Sequence, residues 1–565
     1  MHHAYLYTFH LELYKGNTCI DVSDTTFGLR TITWDENNIL INHKPVFVRG
    51  LNRHQSFPYV GYAVSDSLQK EDARILDEEL GVNAVRTSHY PQSHAFIEEC
   101  DRRGILVFTE IPGWQYVSSQ PHWRDICIQN VEEMVTQYRN HPSIFMWGVR
   151  VNESQDDDAL YTKTNALAHS LDPTRPTSGV RYLEKSSLLE DIYSYNDFSH
   201  NGTNPGCKKK KDVTPDIKKP LLISECNGHM FPTKSFDPIS KRQEHALRHA
   251  RVLNDAIQDK QHAGMFSWCM FDYATHKDFG SGDKICYHGV MDSFRNPKLA
   301  SYVYSAQQEN TPVLEVGTTM DIGDYPAGQI ASFYCFTNGD SIRLYKNDVF
   351  VKEFSTTPFP SLKHGPILID DTIGDLLETQ EHMSKQQAKD IRSCLLAARD
   401  YGLANLPLKN KLQFARAMMK YHLTFQDGVD LYGKYVSNWG DEATRWRFDV
   451  IKNGNVIASK TKCPGSFLHI EAKISSTVLE ESDTYDMAAI RIRILDDHDS
   501  VASYAQLPLT IQASNNLEII GGEHIVSEGG MCGTYIRTKA VSSHETVTIS
   551  SPGLEPVTLH IQIRG

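Results

Sequence analysis

Short apolar runs separated by longer amphipathic stretches occupy residues 35–310. Eight such runs lie at 46–49, 82–86, 105–108, 144–147, 177–180, 191–193, 221–224 and 265–268. One intervening stretch begins at Ser67, places Leu68 and Ile75 on one helical face and ends at Gly81, a residue that favours helix termination. Alternating strand and helix patterns predict an α/β domain, and eight parallel strands are the number that closes a TIM barrel.

Strand patterns flank this region on both sides. Apolar and polar residues alternate over 4–13, and two further strand patterns, 330–336 and 341–345, are separated by Asn338, Gly339 and Asp340. A short turn of this composition between two strands predicts a β-hairpin. The predicted fold class is therefore multidomain α/β plus all-β, with a central TIM (β/α)8 barrel flanked by immunoglobulin-like β-sandwich domains.

Four segments are predicted. Residues 1–34 form the remnant of an immunoglobulin-like sandwich, because two or three strands cannot bury a sandwich core, so the chain is expected to begin inside a domain. Residues 35–310 form the barrel. Residues 311–475 form an immunoglobulin-like domain with a helical insertion at about 366–430, where helical periodicity is clear over 384–403, and residues 476–565 form a C-terminal immunoglobulin-like domain.

Composition excludes several classes of protein. The formal net charge of -13 disfavours a nucleic-acid partner, which needs a basic surface. The lysine run 208–211 lies in a turn-rich stretch and is interpreted as a solvated loop. The eleven cysteines include no Cys-x-x-Cys pair, so we expect reduced thiols, no zinc site and a cytoplasmic location. No apolar stretch is long enough to cross a membrane.

Polar residues gather directly after the predicted strands, at the end where a TIM barrel builds its active site. They are Asn52, His54, Ser88, His89, Glu110, Asn152, Glu153, Arg181, Tyr195, Asn196, Glu225 and Asp272. A single His or Tyr in such a position is as often a helix cap or a loop hydrogen-bonding group as a functional residue. Their coincidence at seven of eight strands predicts a site, with Asn196, Arg181 and Glu110 among the candidate substrate-binding residues.

Two glutamates at strand ends are the candidate catalytic pair. Glycoside hydrolysis needs two facing carboxyl groups, and in a retaining enzyme one is protonated and the other is an ionised nucleophile. Glu153 lies near Trp147, where burial is expected to raise its pKa and keep the acid form, and Glu225 is the expected nucleophile. The alternative is that each glutamate merely pairs with an arginine such as Arg86 or Arg181.

These residues belong to motifs that resemble glycoside hydrolase family 2. The matching segments are 27–30, 48–54, 85–91, 140–144, 147–154 and 221–225. The resemblance implies that Glu153 is the general acid/base, Glu225 the nucleophile and Asn152 the donor to the sugar 2-hydroxyl. It also implies that the sugar subsite contains His54, His89, Tyr195, placed against the nucleophile, and Trp268, an apolar wall.

The resemblance also defines what to expect of the substrate. It implies a retaining exo-acting β-glycoside hydrolase that cleaves a terminal non-reducing β-linked sugar. Family β-glucuronidases hold the sugar carboxylate with an Asn-x-Lys motif, which 272–289 lacks, and Asn296-Pro297-Lys298 is interpreted as a helix start. A neutral sugar, and so a β-galactosidase, is favoured.

Three alternatives stay open. A β-glucuronidase or other β-uronidase would use Lys277, Lys284 or Arg181 for the sugar carboxylate. Family members usually carry a jelly-roll domain before the barrel, and none is recognised in this sequence. A second alternative, from another functional class, is therefore an inactive carbohydrate-binding remnant. No cofactor or metal is predicted, since a structural divalent cation near Glu110 has no supporting ligand spacing, and a homo-oligomer stays open.

Overall fold

A closed barrel of parallel strands lies at the centre of the protein. The computed structural model describes residues 4–276, 279–440, 443–539 and 542–565, and within them the barrel has eight strands. They are Val48–Arg53, Ala84–Thr87, Leu106–Glu110, Ile144–Gly148, Thr177–Arg181, Ile192–Asn196, Leu221–Glu225 and His262–Ser267. Each strand overlaps one predicted apolar run, so the predicted TIM barrel is confirmed.

Both faces of the barrel strands are buried, which explains why the runs are continuously apolar. The inner face contributes Val48, Phe108, Leu222 and Phe266 to one cluster, and the outer face packs against helices in a second, larger cluster. The strands approach closely at Gly50, where an added Cβ would lie 2.3 Å from the Phe266 ring. Only glycine fits at that position.

The helices of the barrel region cover the outer face. They are Asp66–Arg74, His94–Arg103, Pro121–Tyr138, Asp158–Leu171, Lys210–Val213, Ile239–Gln258 and Ser301–Ser305. The first continues as a π-turn over Ile75–Glu79 and stops before Gly81, whose φ of +60° suits glycine. The helix predicted to begin at Ser67 is thus present, and it ends before Gly81 as predicted.

Two small sheets precede the barrel. The hairpin Tyr7–Lys15 and Thr18–Phe27 is exposed over nearly all of its length. The three-stranded sheet Ile32–Trp34, Ile39–Ile41 and Lys44–Val46 follows, and Ile32 and Ile39 pack onto the inner barrel cluster. Arg30 fixes the connection by donating hydrogen bonds to the carbonyl oxygens of Pro142 (2.9 Å) and Ile144 (3.2 Å).

Residues after the barrel form two facing sheets. One contains Leu314–Val316, Phe333–Thr337 and Ile367–Ile369, and the other contains Val349–Phe354, Ser341–Lys346, Trp446–Lys452 and Asn455–Lys462. The predicted hairpin across Asn338 is wrong, since Phe333–Thr337 and Ser341–Lys346 lie in different sheets. The Asn338 side chain instead binds the linker that leaves the barrel, accepting from the Val313 N–H (2.9 Å), so the turn crosses between sheets.

A group of helices follows the strand Ile367–Ile369 in the chain and precedes the strand Trp446–Lys452. Its members are Leu376–Thr379, Lys385–Tyr401, Leu408–Tyr421 and Phe425–Tyr432. The longest coincides with the helical periodicity over 384–403, and the Ser384 hydroxyl caps it by accepting from the Gln387 N–H. Short π and 3₁₀ turns at Gly433–Ser437, Gly228–Met230, Ile322–Asp324 and Pro326–Gly328 complete the irregular segments.

The C-terminal region is again two sheets around an apolar cluster. One contains Leu468–Ile474, Met487–Asp496, Met531–Thr538 and Leu517–Ile520, and the other contains Val478–Glu480, Val557–Arg564, Ser543–Ser550, Pro508–Ala513 and His524–Val526. Leu468–Ile474, which the sequence division assigns to the preceding segment, pairs with Met487–Asp496. The division into four segments stays a prediction.

Candidate active site

A cavity of about 730 Å³ opens at the C-terminal ends of the barrel strands. Its wall includes Glu153, Glu225, His54, His89 and Trp268, each of which follows or ends a different strand. The structure therefore brings the two predicted catalytic carboxyl groups and three of the predicted binding residues into one pocket. The short strand pair Tyr273–Ala274 and Ile285–Cys286 forms part of its rim.

Glu225 ends the seventh barrel strand and is 5% exposed. Its Oε1 accepts a hydrogen bond from Arg86 Nη1 at 2.7 Å. The pKa of Glu225 is raised, because burial, with a smaller contribution from the nearby Glu153 carboxyl, outweighs the opposing effect of Arg86. The arginine pairing that the sequence left as an alternative is thus present, but Glu225 also faces the cavity.

Arg86 organises the polar floor of the site. Its guanidinium is fully buried and donates to both Glu110 oxygens, at 2.7 and 3.1 Å, as well as to Glu225. It also donates to the Oδ1 atoms of Asn52 and Asn152, both at 2.9 Å. Glu110 therefore holds the arginine and does not line the cavity, and the charged pairs satisfy one another away from water.

Glu153 lies on the loop after the fourth strand, with a φ of +54°. Its Oε2 accepts from Trp114 Nε1 at 3.0 Å and from Gln115 Nε2 at 3.1 Å, and its Oε1 accepts from Asn196 Nδ2 at 2.8 Å. No arginine or lysine pairs with it among the residues described. Glu153 is thus oriented by neutral donors, whereas Glu225 is oriented by a cation.

The sequence names the wrong tryptophan as the neighbour of Glu153. Trp147 Nε1 donates to Asp172 Oδ2 at 3.0 Å, on the helix side of the barrel wall. Trp114, in the loop after the third strand, occupies the expected place and is 47% exposed at the cavity. The only sequence signal for it is its position just after a predicted strand.

Asn152 is buried next to Glu153. Its Oδ1 accepts from Arg86, whereas its Nδ2 has no hydrogen-bond partner among the described residues. A buried amide N–H pair without a partner is costly unless a ligand completes it. This is the arrangement expected of a donor to a sugar hydroxyl.

Aromatic rings form one side of the cavity. The His89 and Trp268 rings stack with centroids 5.4 Å apart, and the His54 ring meets Trp268 edge-on at 5.2 Å. Burial lowers the pKa of His54 well below its usual value, so its ring is neutral. Sequence reasoning missed several further lining residues, which are Tyr62, Trp114, Gln115, Phe198, His229, Tyr273 and Phe279.

Like Glu110, whose assignment as a substrate-binding residue is corrected by its pairing with Arg86, the predicted binding residues Arg181 and Tyr195 lie outside the cavity. Arg181 Nη2 donates to Glu190 Oε2 at 2.5 Å, and its guanidinium lies over the Tyr193 ring. Tyr195 accepts at its hydroxyl from Lys208. Successive residues of a strand point to opposite faces, so Asn196 faces Glu153 inside the barrel while Arg181 and Tyr195 face the outer layer. The assignments of Arg181 and Tyr195 as substrate-binding residues are corrected accordingly.

Other groups considered from the sequence also lie apart from the cavity. Lys298 Nζ donates to Asp272 Oδ1 (2.6 Å) and Asn296 Nδ2 donates to the Cys532 carbonyl oxygen (2.9 Å), so this motif does not point into the pocket. Lys284 does not line it, and Lys277 lies outside the described residues. In the described ranges no group of three or more His, Cys, Asp or Glu side chains could hold a metal ion.

Comparisons with known proteins agree with this geometry. Residues 32–312 match the family model of the "Glycosyl hydrolases family 2, TIM barrel domain". A β-galactosidase of Thermoanaerobacterium thermosulfurigenes is 48% identical over 362 residues, which cover 63% of this chain and 50% of the relative. A β-glucuronidase of Chlorocebus aethiops is 29% identical over 330 residues, covering 53% of this chain and 50% of the relative.

The whole fold is also found among solved structures. A β-glycosidase from Bacteroides vulgatus superposes with a TM-score of 0.70 at 18% identity, covering 99% of this chain and 69% of that one. The barrel of this chain, residues 32–312, belongs to glycoside hydrolase family 2. It spans about half the length of the curated relatives it matches.

No helix of the described residues is both long and apolar enough to cross a lipid bilayer. All eleven cysteines are free, as the sequence predicts. The cytoplasmic location stays a prediction.

Proposed function

We propose that this protein is a retaining exo-acting β-glycoside hydrolase whose substrate is a β-galactoside. The observation that carries the proposal is the pairing of Glu153 and Glu225 in one cavity, with different donors around each carboxyl group. The relatives named β-galactosidase and the family match support it.

The chemistry follows from those surroundings. The Glu225 carboxylate attacks the anomeric carbon, forming a C–O bond to the sugar while the glycosidic C–O bond breaks. Glu153 gives its proton to the departing oxygen. Water then attacks the anomeric carbon, Glu153 takes a proton from that water, and the bond to Glu225 breaks. The sugar leaves with its original anomeric configuration.

The roles are assigned from exposure and charge. A nucleophile has to be ionised, and the ion pair with Arg86 favours the carboxylate of the buried Glu225. A general acid/base has to exchange protons with solvent and reach the leaving group, and Glu153 is half-exposed at the cavity mouth with no cation bound to it among the described residues. This favours Glu153 as acid/base.

The lining favours a neutral sugar. Among the described residues that line the cavity there is no lysine or arginine. A uronic acid would therefore bring an unpaired carboxylate into a partly desolvated pocket, which is costly. The competing β-uronidase needs Lys277, Lys284 or Arg181 for the sugar carboxylate; Lys284 and Arg181 do not line the cavity, and Lys277 lies outside the described residues.

The first test is hydrolysis of the nitrophenyl β-galactoside, β-glucuronide, β-mannoside and β-glucoside by the full chain. We expect the highest kcat/KM on the galactoside. Preference for the glucuronide that disappears in Lys277→Met would establish the uronidase instead. Binding of galactose without turnover of any of the four would favour the inactive carbohydrate-binding protein.

The second test distinguishes the roles of the two carboxyl groups. Glu225→Gln should abolish turnover, because no nucleophile is left. Glu153→Gln should slow hydrolysis about 10²–10⁴-fold for a poor leaving group and less for nitrophenol, which departs with little protonation. Glu98→Gln, at an exposed helix position, is the control and should leave kcat unchanged. An active Glu225→Gln variant would refute the assignment.

A further inference from the structure

A second cavity, of about 300 Å³, lies where the barrel meets both C-terminal β regions. It shares no lining residue with the active-site cavity. Most of its charged lining residues are cations, namely Lys234, Arg242, Lys298, Lys460, Lys462 and Arg493, and its carboxylates are Glu315 and Asp499. The nature of this lining indicates an anionic occupant.

Three of these cations are already neutralised by carboxylates. Lys298 pairs with Asp272 at 2.6 Å. Lys460 pairs with Glu315, and Arg493 pairs with Glu471, both at 2.5 Å. Lys234 lies over the Tyr287 ring at 4.5 Å. These four cations therefore already have contact partners within the protein.

Arg242 and Lys462 differ from the other cations. Within the ranges that the structure describes, neither side chain has a hydrogen-bonded, ion-paired or aromatic-ring partner, and Arg242 Nε is buried. Burial lowers the pKa of Arg242, and burial together with Lys460 lowers the pKa of Lys462 to about 8. Two half-buried cations without an ion-pair partner face the same cavity, so both are partly desolvated, and a bound anion would offset that cost.

The start of the helix Ile239–Gln258 adds a further positive contribution. Ile239 lines the cavity, the N-cap residue is Pro238, and no side chain caps the helix there. The unsatisfied N–H groups and the helix dipole at such an end favour an anion. A 20-residue helix from the barrel and the strand Asn455–Lys462 from the next β region thus present positive charge to the same space.

We propose that this cavity is a binding site for a small oxyanion, with phosphate as the best fit, held between Arg242 and Lys462. A dianion would neutralise both of these cations, which line the same cavity. Because the two cations come from different parts of the fold, the anion stabilises the docking of the barrel against the β region that follows it. The site is separate from glycoside hydrolysis.

The test is thermal unfolding of the full chain in inorganic phosphate against chloride at constant ionic strength. A ligand that binds only the folded state raises its stability with concentration, so we expect Tm to rise by at least ~2 °C. Sulfate in a parallel series shows whether the site takes tetrahedral oxyanions in general, and acetate shows whether a single carboxylate suffices. No rise in either phosphate or sulfate overturns the proposal.

Variants locate the effect. Arg242→Met combined with Lys462→Met should remove the response to phosphate while leaving Tm in chloride unchanged or higher, because the cations removed have no partner. The control is Lys411→Met with Arg416→Met, which makes the same charge change on an exposed helix face and should keep the phosphate response. An equal response in both double variants overturns the proposal.

The single variant Lys462→Met, assayed by titration calorimetry with phosphate, keeps the proposal testable if the double variant does not fold. Weaker phosphate binding than in the wild type is expected. Unchanged affinity would contradict the site. Neither result depends on hydrolytic activity, so the site is judged independently of the proposed function.

Discussion

Arg86 contacts side chains from several parts of the candidate active site. Its side chain links Glu225, Glu110 and Asn52, which come from three different strands, and Asn152, in the loop after a fourth. The sequence places Arg86 in a strand-end motif, but its partners depend on the order of strands around the barrel. A residue at this position therefore becomes interpretable only once the barrel has closed.

Asp272 gives a prediction at the same scale. Burial raises its pKa to about 7, even though Lys298 Nζ donates to it at 2.6 Å. The unfolded chain releases the proton near pH 3.9, so the folded state holds an extra proton between these values. The stabilisation from this group is complete below about pH 4 and is lost as the pH rises to 7.

We therefore expect the free energy of unfolding of the wild type to fall relative to Asp272→Asn between pH 4.5 and 7. The slope of the difference should reach at most about 1.4 kcal/mol per pH unit, the value for one proton. Urea unfolding at a series of pH values measures it. A difference that stays constant would mean that Lys298 outweighs burial and keeps Asp272 ionised throughout.

The alternation of side chains along barrel strands decides which strand residues reach the active site. The Asn196 side chain faces Glu153. Its neighbour Tyr195, and Arg181 at the paired position of the adjacent strand, face the helices. Sequence patterns do not reveal the inward set in this barrel, because both faces of each strand are buried and the runs show no alternation.

Arg181→Met tests this assignment of faces. Removing one partner of a buried ion pair leaves Glu190 uncompensated, so we expect the protein to lose about 3–5 kcal/mol of stability. The KM for the sugar should stay unchanged, because Arg181 does not reach the cavity. Urea unfolding and steady-state kinetics provide the two readouts.

Its matched control is the double variant Arg181→Met with Glu190→Gln. Removing both charges should recover part of the lost stability. A raised KM in the single variant, with stability unaffected, would place Arg181 in the sugar site after all.

At the scale of the whole molecule, the C-terminal sheets are fixed to the barrel by specific polar contacts. Arg491 donates to both oxygens of Glu79, at 2.6 and 2.8 Å, and to the carbonyl oxygen of Arg295 at 2.9 Å. Ser67 donates to Asp486 at 3.0 Å. The partners in each of these three residue pairs lie more than 190 residues apart in the chain, so no local pattern predicts them.

Arg491→Met should weaken this docking. We expect a loss of about 1.5–3 kcal/mol, typical of hydrogen bonds to charged groups, seen by calorimetry as earlier unfolding with kcat retained. Arg537→Met removes an exposed pair with Glu518 inside the C-terminal sheets and should cost at most about 1 kcal/mol. Equal losses in the two variants would mean that the Arg491 contact adds nothing to docking.

Much of the barrel is predictable from the amino-acid sequence: its eight strand segments, and the two glutamates that follow the fourth strand and end the seventh. This is possible because apolar periodicity and the end of a strand are local properties of the chain. The helix over 384–403 was predictable for the same reason.

Which side chains contact one another depends on how the chain folds. The tertiary structure replaced Trp147 by Trp114 beside Glu153, moved Arg181 and Tyr195 to the outer layer and sent the strands around Asn338 into different sheets. These outcomes depend on distances between residues far apart in the chain and on which face of a strand turns inward. Such relations exist only after the strands have closed and packed, so they are absent from any local pattern of residues.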